Sequence, residues 1–220
     1  MKETLIHAKG ISKQFGSNTV LKKLDLEIFR AELVSIIGPS GAGKTTLLQI
    51  LGTLDPPSSG EVHLNQINPY LLKDKALAKF RSEEVGFVFQ FHQLLPEFTA
   101  IENVALPALI AGKNKADAFK LAEEKLDLLG IGYVKEQKPS TLSGGEKQRC
   151  AVARALINNP SVVFADEPTG NLDSENAERL HDIFKELQQK TTQTFVVVTH
   201  NEKLAQIADR VLHLKDGILQ

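Results

Sequence analysis

Apolar and polar residues alternate along the start of this chain. Residues 4–15 and 20–28 read as strands, with Val20, Leu24, Leu26 and Ile28 mostly on one side of a period of two. Phe15-Gly16-Ser17-Asn18 between them is a turn signal. Leu33 to Ile37 is then an apolar run, followed by a helix from near Gly43 to about Thr53 that Asp55-Pro56-Pro57-Ser58-Ser59-Gly60 stops. A hairpin-like strand over Glu61–Asn65, a helix over Lys73–Arg81 and a short strand over Val85–Phe89, ending at Gln90, come next. An antiparallel start joined to a strand–loop–helix unit predicts a β-lobe on an α/β core.

Residues 91–138 change character. Phe91, Leu94, Leu95, Phe98, Ile101, Val104, Leu106, Leu109 and Ile110 are apolar but interrupted by Pro96 and Pro107. Ala116 to Leu129 is an amphipathic helix, with Phe119, Ala122, Leu126 and Leu129 on one face and Gly130 ending it. The stretch predicts a helical lobe inserted between strands, with part of its apolar surface, around Leu94, Leu95, Phe98 and Ile101, facing a partner. A helical run from Ser143 to about Asn158, a buried strand over Ser161–Ala165, a helix over Ser174–Gln189, a buried strand over Phe195–Thr199, one short helix and a strand pair around Asp216-Gly217 complete the pattern.

Composition narrows the classes. The 220 residues are 42% hydrophobic and 24% charged, enough for a sizeable α/β core. Lys+Arg of 26 against Asp+Glu of 27 gives a net charge of -1, which is no footprint for nucleic acid. No apolar run reaches membrane-span length, and Met1-Lys2-Glu3-Thr4 opens a mixed stretch rather than a signal peptide. The single cysteine, Cys150, precludes an internal disulfide and, among Ala151, Val152 and Ala153, reads as a small buried hydrophobe. The expectation is a cytosolic chain that docks on something in a membrane.

The chemistry starts at Gly38-Pro39-Ser40-Gly41-Ala42-Gly43-Lys44-Thr45-Thr46, a G-x-x-x-x-G-K-T loop between a strand and a helix. Its glycines let backbone N–H groups approach phosphate oxygens, and the helix start adds its positive dipole end. Lys44 supplies a cation, and the Thr45 hydroxyl suits a Mg²⁺ shell otherwise made of water and phosphate. Asp166 ends a buried strand downstream, the usual place for a carboxylate aimed at Mg²⁺. Glu167 follows it and can hold a water and accept its proton. His200 stands at the end of the next buried strand, where ligands of open α/β sheets gather. Phe15 suits either a stacked base or the core. Ser143 alone reads as an ordinary helix cap. Asn114-Lys115-Ala116-Asp117 matches a guanine-reading tetrapeptide but opens a helix with no strand before it, so it is read as a chance match that implies no GTP selectivity.

Together, Gly38–Thr45, Gln90 after Phe87-Val88-Phe89, Leu142-Ser143-Gly144-Gly145-Glu146, Val162–Glu167, Asn171-Leu172-Asp173 and His200 resemble the nucleotide-binding subunit of ATP-binding-cassette (ABC) transporters. The resemblance covers the whole chain. It implies one ATPase domain, with residues 1–90 and 159–220 as β-lobe and catalytic core and about 91–158 as the helical lobe. It implies ATP and Mg²⁺ as cofactors, Phe15 and Val20 beside the nucleotide, the loop from Gly38 to Thr46 on the phosphates, and Thr45, Gln90 and Asp166 on Mg²⁺. Glu167 would be the general base and His200 the γ-phosphate sensor, with Lys44 and Gln90 also in the catalytic set. Ser143, Gly144 and Gly145 would bind ATP held by a second copy in a head-to-tail pair.

Chromosome-maintenance ATPases share the signature but insert long coiled coils, and the 99 positions from Lys44 to Ser143 leave no room for one. Gln90–Ala100, Glu102-Asn103-Val104 and Ala165–Asp173 resemble the branch that powers lipoprotein release, with relatives in macrolide efflux and cell division. That branch implies integral membrane permease subunits as partners and a peripheral location on the cytoplasmic face of the inner membrane.

Overall fold

In a computed structural model describing residues 3–220, the chain runs β1 (Thr4–Phe15), β2 (Asn18–Phe29), β3 (Leu33–Ile37), α1 (Lys44–Leu51), β4 (Ser59–Leu64), α2 (Asp74–Glu84), β5 (Val85–Val88), α3 (Ala100–Ile110), α4 (Lys115–Leu128) and α5 (Gly144–Leu156). It continues with β6 (Val162–Asp166), α6 (Ser174–Thr191), β7 (Thr194–Val198), α7 (Glu202–Ile207), β8 (Arg210–Lys215) and β9 (Ile218–Leu219). Met1 and Lys2, read above as part of a mixed N-terminal stretch, lie outside the described residues.

The strands form two sheets. A three-stranded antiparallel sheet has the order β2-β1-β4, and a six-stranded sheet the order β5-β6-β7-β3-β8-β9. Neighbours in the second sheet are parallel except β8 and β9. The continuous apolar runs follow from this burial, because successive side chains point to opposite faces and both faces are covered. Val34, Ile36, Val162, Phe164, Val196 and Val198 go to one face, where Leu47, Leu48, Ile50 and Leu51 of α1 and the β1–β4 sheet meet them. Leu33, Val163, Ala165, Phe195 and Val197 go to the other, against α3, α4, α5 and α6.

One expectation is extended and one is corrected. The strand at 59–64 does turn back on itself, Leu64 and Ile67 exchanging backbone hydrogen bonds at 2.9 and 3.0 Å, but its ladder partner is the distant β1, with Ile6 opposite Leu64 and Ala8 opposite Val62. A side chain at Gly60 would come within 2.4 Å of the Gly10 carbonyl oxygen, so the close crossing needs glycine. Pro107, which predicts an interruption, lies inside α3. An internal proline costs about 3 kcal/mol. Burial of Ile101, Val104, Ala105 and Ala108 offsets that cost, and a capping box between Thr99 and Glu102 starts the helix. Buried Asn103 holds the preceding loop by accepting from Leu95 N at 2.7 Å and donating to the carbonyls of Leu95, Phe98 and Thr99.

Asn114 caps α4 by accepting from Asp117 N at 2.9 Å. The tetrapeptide that mimics a guanine reader therefore has a local structural task, as its position at a helix start predicts. Among the described residues, no helix is long and apolar enough to cross a membrane.

Candidate functional site

The C-terminal ends of β3, β6 and β7 lie side by side, with Asp166 opposite Val198 and Ile36 opposite Val198 on the other side. The loop after β3 turns into α1 at Gly43, whose φ of 99° suits glycine and which offers no side-chain cap to the helix amides. A side chain at Gly43 would meet Leu21 Cδ2 at 2.8 Å, and one at Gly38 would meet the Leu214 carbonyl oxygen at 2.0 Å. The loop is thus a cradle pressed against its surroundings, with uncapped amides at a positive helix end. Val20, Ser40, Gly41, Gly43, Lys44, Thr45, Thr46, Glu167 and Val198 line a cavity of about 340 Å³ there.

Lys44 folds over the loop, its Nζ donating to the carbonyls of Gly38 at 2.8 Å and Pro39 at 3.0 Å. The Thr45 hydroxyl donates to Asp166 Oδ1 at 3.2 Å. Burial, the largest influence on Asp166, pushes its carboxyl above the usual range; the Thr45 bond opposes that, neighbouring Glu167 adds to it, and Lys44 opposes it. A hydroxyl facing a carboxylate that burial has left short of positive charge is a donor set that fits a hard divalent cation.

Glu167 adopts φ 45°, its N–H bonded to Val198 O at 2.9 Å and its carbonyl to Gly170 N at 3.0 Å. This turn holds the carboxylate beside His200, whose Nδ1 is 2.8 Å from Oε2. Gln90 sits behind the turn: Asn171 Nδ2 donates to its carbonyl at 3.0 Å, and a side chain at Gly170 would stand 3.0 Å from Gln90 Nε2. Among the described residues, the Gln90 side chain has no hydrogen bond to Thr45 or Asp166.

The remaining predicted residues divide. Thr46 lines the cavity with Lys44 and Thr45, whereas Ala42 is buried in the core. Phe15 is 52% exposed, so the core reading fails; it does not line the cavity, and the Lys13 ammonium lies 5.0 Å from its ring centroid. Ser143, Gly144 and Gly145 lie outside the cavity. Gly144 and Gly145 rest instead on the chain beyond Glu167: a side chain at Gly144 would touch Leu172, and one at Gly145 would meet Asn176 Oδ1. Of the apolar residues expected to face a partner, Ile101 is core and Leu94 packs against the core, while Leu95 and Phe98 are exposed. Phe87, Phe89, Pro107, Ala155, Ile157 and Pro160 line a separate groove of about 260 Å³ with Arg154 and Asn158.

Sequence reasoning missed the Tyr133–Glu146 bond and the support that Asp173 gives Asn176. The spacing Ser143-x-x-Glu146 was a readable capping-box signal; nothing in sequence points from Tyr133 to Glu146.

The chain is similar to known proteins over most of its length. The family model described as "ABC transporter" matches residues 21–170. The lipoprotein-releasing system ATP-binding protein LolD of Bacteroides fragilis is 58% identical over 213 residues, covering 97% of this chain and 99% of that protein. LolD of Bacteroides thetaiotaomicron is 56% identical over 216 residues, covering 98% and 99%. A dimeric structure of the ATP-binding cassette MJ0796 in a post-hydrolysis state, bound to ADP and Pi, superposes with a TM-score of 0.90 at 40% identity, covering 98% of this chain and 97% of that one.

Proposed function

The chain belongs to the ABC transporter family, and from that premise we propose that this ATPase powers lipoprotein release through a separate membrane permease. It is an ABC ATPase subunit and binds ATP. The finer reading takes its substrate system from the LolD relatives, with which it shares more than half of its residues over nearly its whole length.

The observation that carries the mechanism is the meeting of Lys44, Thr45, Asp166, Glu167 and His200 at one row of strand ends, with Ser143–Gly145 outside it. In this reading the loop amides and Lys44 bind the outer phosphates, Phe15 and Val20 hold the nucleotide, and Glu167 orients a water and accepts its proton while His200 steadies Glu167. Thr45, Gln90 and Asp166 would hold Mg²⁺, which neutralises phosphate charge when bound. The position of the signature segment outside the cavity supports a second copy supplying Ser143, Gly144 and Gly145, so that two ATP are shared between two chains. The reading keeps one ATPase domain, with about 91–158 as its helical lobe. The apolar groove beside Phe87 and Phe89, with exposed Leu95 and Phe98 nearby in sequence, supports docking of permease segments at the cytoplasmic face of the inner membrane.

The test is capture of the native partner. Affinity purification of the tagged chain from solubilised membranes should recover an integral membrane permease, and the complex should release lipoprotein from vesicles only with Mg-ATP. Recovery of a macrolide exporter or a cell-division protein in its place would refute lipoprotein release and leave the ATPase assignment standing.

A further inference from the structure

We propose that Tyr133 is a positioning residue for Ser143, acting through the carboxylate of Glu146. The inference rests on the reading that Ser143 meets a triphosphate held by a second copy. Ser143 caps α5, and its backbone N–H donates to Glu146 Oε2 at 2.7 Å. Its hydroxyl donates to the same oxygen at 2.6 Å while accepting from Glu146 N at 3.3 Å. The other oxygen, Oε1, accepts the Tyr133 phenol at 2.8 Å. Each oxygen of one carboxylate therefore answers to a different residue.

This arrangement has a consequence for phosphate binding. The Ser143 hydroxyl carries one proton, and in the single chain that proton is committed to Oε2. To donate to a phosphate it must leave the carboxylate, which also presents negative charge to the arriving anion. A phenol on Oε1 draws charge from the carboxylate and makes Oε2 a weaker acceptor. It also stops a flexible glutamate from turning toward the phosphate. Arg149, one helical turn on and buried, adds positive charge on the same side. Tyr133 is 72% exposed, so its aromatic ring contributes little to the core and its hydroxyl is the part that acts.

The experiment titrates Mg-ATP against pairing by analytical ultracentrifugation, in the Glu167→Gln background that blocks turnover. Tyr133→Phe should raise the half-saturating ATP concentration by roughly threefold to tenfold, the range of one modest net hydrogen bond. ATP affinity of the unpaired chain should stay unchanged, and the melting temperature should fall by no more than one exposed hydrogen bond allows. In a Glu146→Gln background, which keeps the cap but removes the charge, Tyr133→Phe should cause no further rise. Unaltered pairing in Tyr133→Phe, or an equal loss with Glu146→Gln present, would each overturn the proposal. If Glu167→Gln itself fails to pair at any Mg-ATP concentration, the two-copy reading fails and the role of Tyr133 falls with it.

Discussion

The Nδ1 of His200 lies 2.8 Å from Oε2 of Glu167, and the backbone N–H of His200 donates to that same oxygen at 3.3 Å. One oxygen of the carboxylate is thus fixed by residue 200, and in the proposed mechanism the other is left to hold a water. His200→Ala should slow hydrolysis by roughly one to two orders of magnitude, the scale of a hydrogen bond to a charged group at about 1.5–3 kcal/mol. If the proposed mechanism holds and the two residues act as a unit, His200→Ala added to Glu167→Gln should cost less than about 0.5 kcal/mol more. Steady-state hydrolysis by the two single variants and the double variant measures this directly, and additive losses would separate the roles.

Base selectivity should be loose. Phe15 is exposed and offers a ring face with no hydrogen-bond code, and stacking serves every base. GTP should bind within about an order of magnitude of ATP, a gap of roughly 1.4 kcal/mol. Phe15→Ala should weaken both alike. Competition binding with the two nucleotides checks it, and strict preference for ATP would contradict it.

Much of the fold and of the catalytic row was legible because its residues are contiguous in sequence or sit at strand ends. The apolar runs of β3, β6 and β7 declare two-faced burial, and each hands over directly to Gly38, Glu167 or the Thr199–His200 pair. What stayed hidden depends on contacts between distant segments. That α3 runs through Pro107 is decided by burial of its apolar face, which local breaker rules do not weigh. Gly38 is required by a carbonyl from Leu214, and Gly145 by the side chain of Asn176. Ile101 and Leu95 look alike in sequence, but Asn103 ties the loop so that Ile101 turns inward and Leu95 outward.

That difference makes docking testable without confusing it with folding. Charged substitution at exposed Leu95 or Phe98 should release the protein from permease-bearing membranes and leave ATP binding and thermal stability intact. Ile101→Ala should instead destabilise the fold by about 2–5 kcal/mol, as expected for a buried aliphatic cut back to alanine. Membrane flotation alongside thermal melts distinguishes the two. Retained membrane association in both surface variants would count against this docking face.

Acid should weaken the helical lobe through its caps. The carboxyl of Glu102 is held below its ordinary value of 4.5 by the Thr99 backbone N–H and then the Thr99 hydroxyl. That of Glu146 is held below 4.5 by the Ser143 hydroxyl, then the Ser143 N–H, then Tyr133. A depressed folded-state value means that this stabilisation is fully present above 4.5 and is lost as pH falls through the lowered folded-state values. Melting temperature should therefore drop as pH falls below that point, and Glu102→Gln combined with Glu146→Gln should flatten part of the drop. An unchanged slope in the double variant would remove the caps from the account.

Glu167 carries the heaviest prediction. A water attacking the γ-phosphate must be oriented and must lose a proton, and a carboxylate serves both needs. Asp166 is the poorer base, because it already accepts from Thr45 and stands where the divalent cation would be held. Glu167→Gln keeps the side chain's size and its capacity to hold a water, and it removes the basicity. Hydrolysis should fall by roughly 10²–10⁴-fold, the usual loss with a general base. Nucleotide binding should survive, since the loop amides, Lys44 and Thr45 are untouched, and one fewer negative charge beside the triphosphate favours it. With hydrolysis blocked, Mg-ATP should trap two chains together, and size-exclusion chromatography should report a dimer. Lys44→Ala should do the reverse, weakening the phosphate site itself and leaving monomer. A Glu167→Gln protein that turns over ATP near the wild-type rate would overturn the base assignment. One that is inactive, binds ATP and stays monomeric would keep the base and count against ATP as the link between two copies.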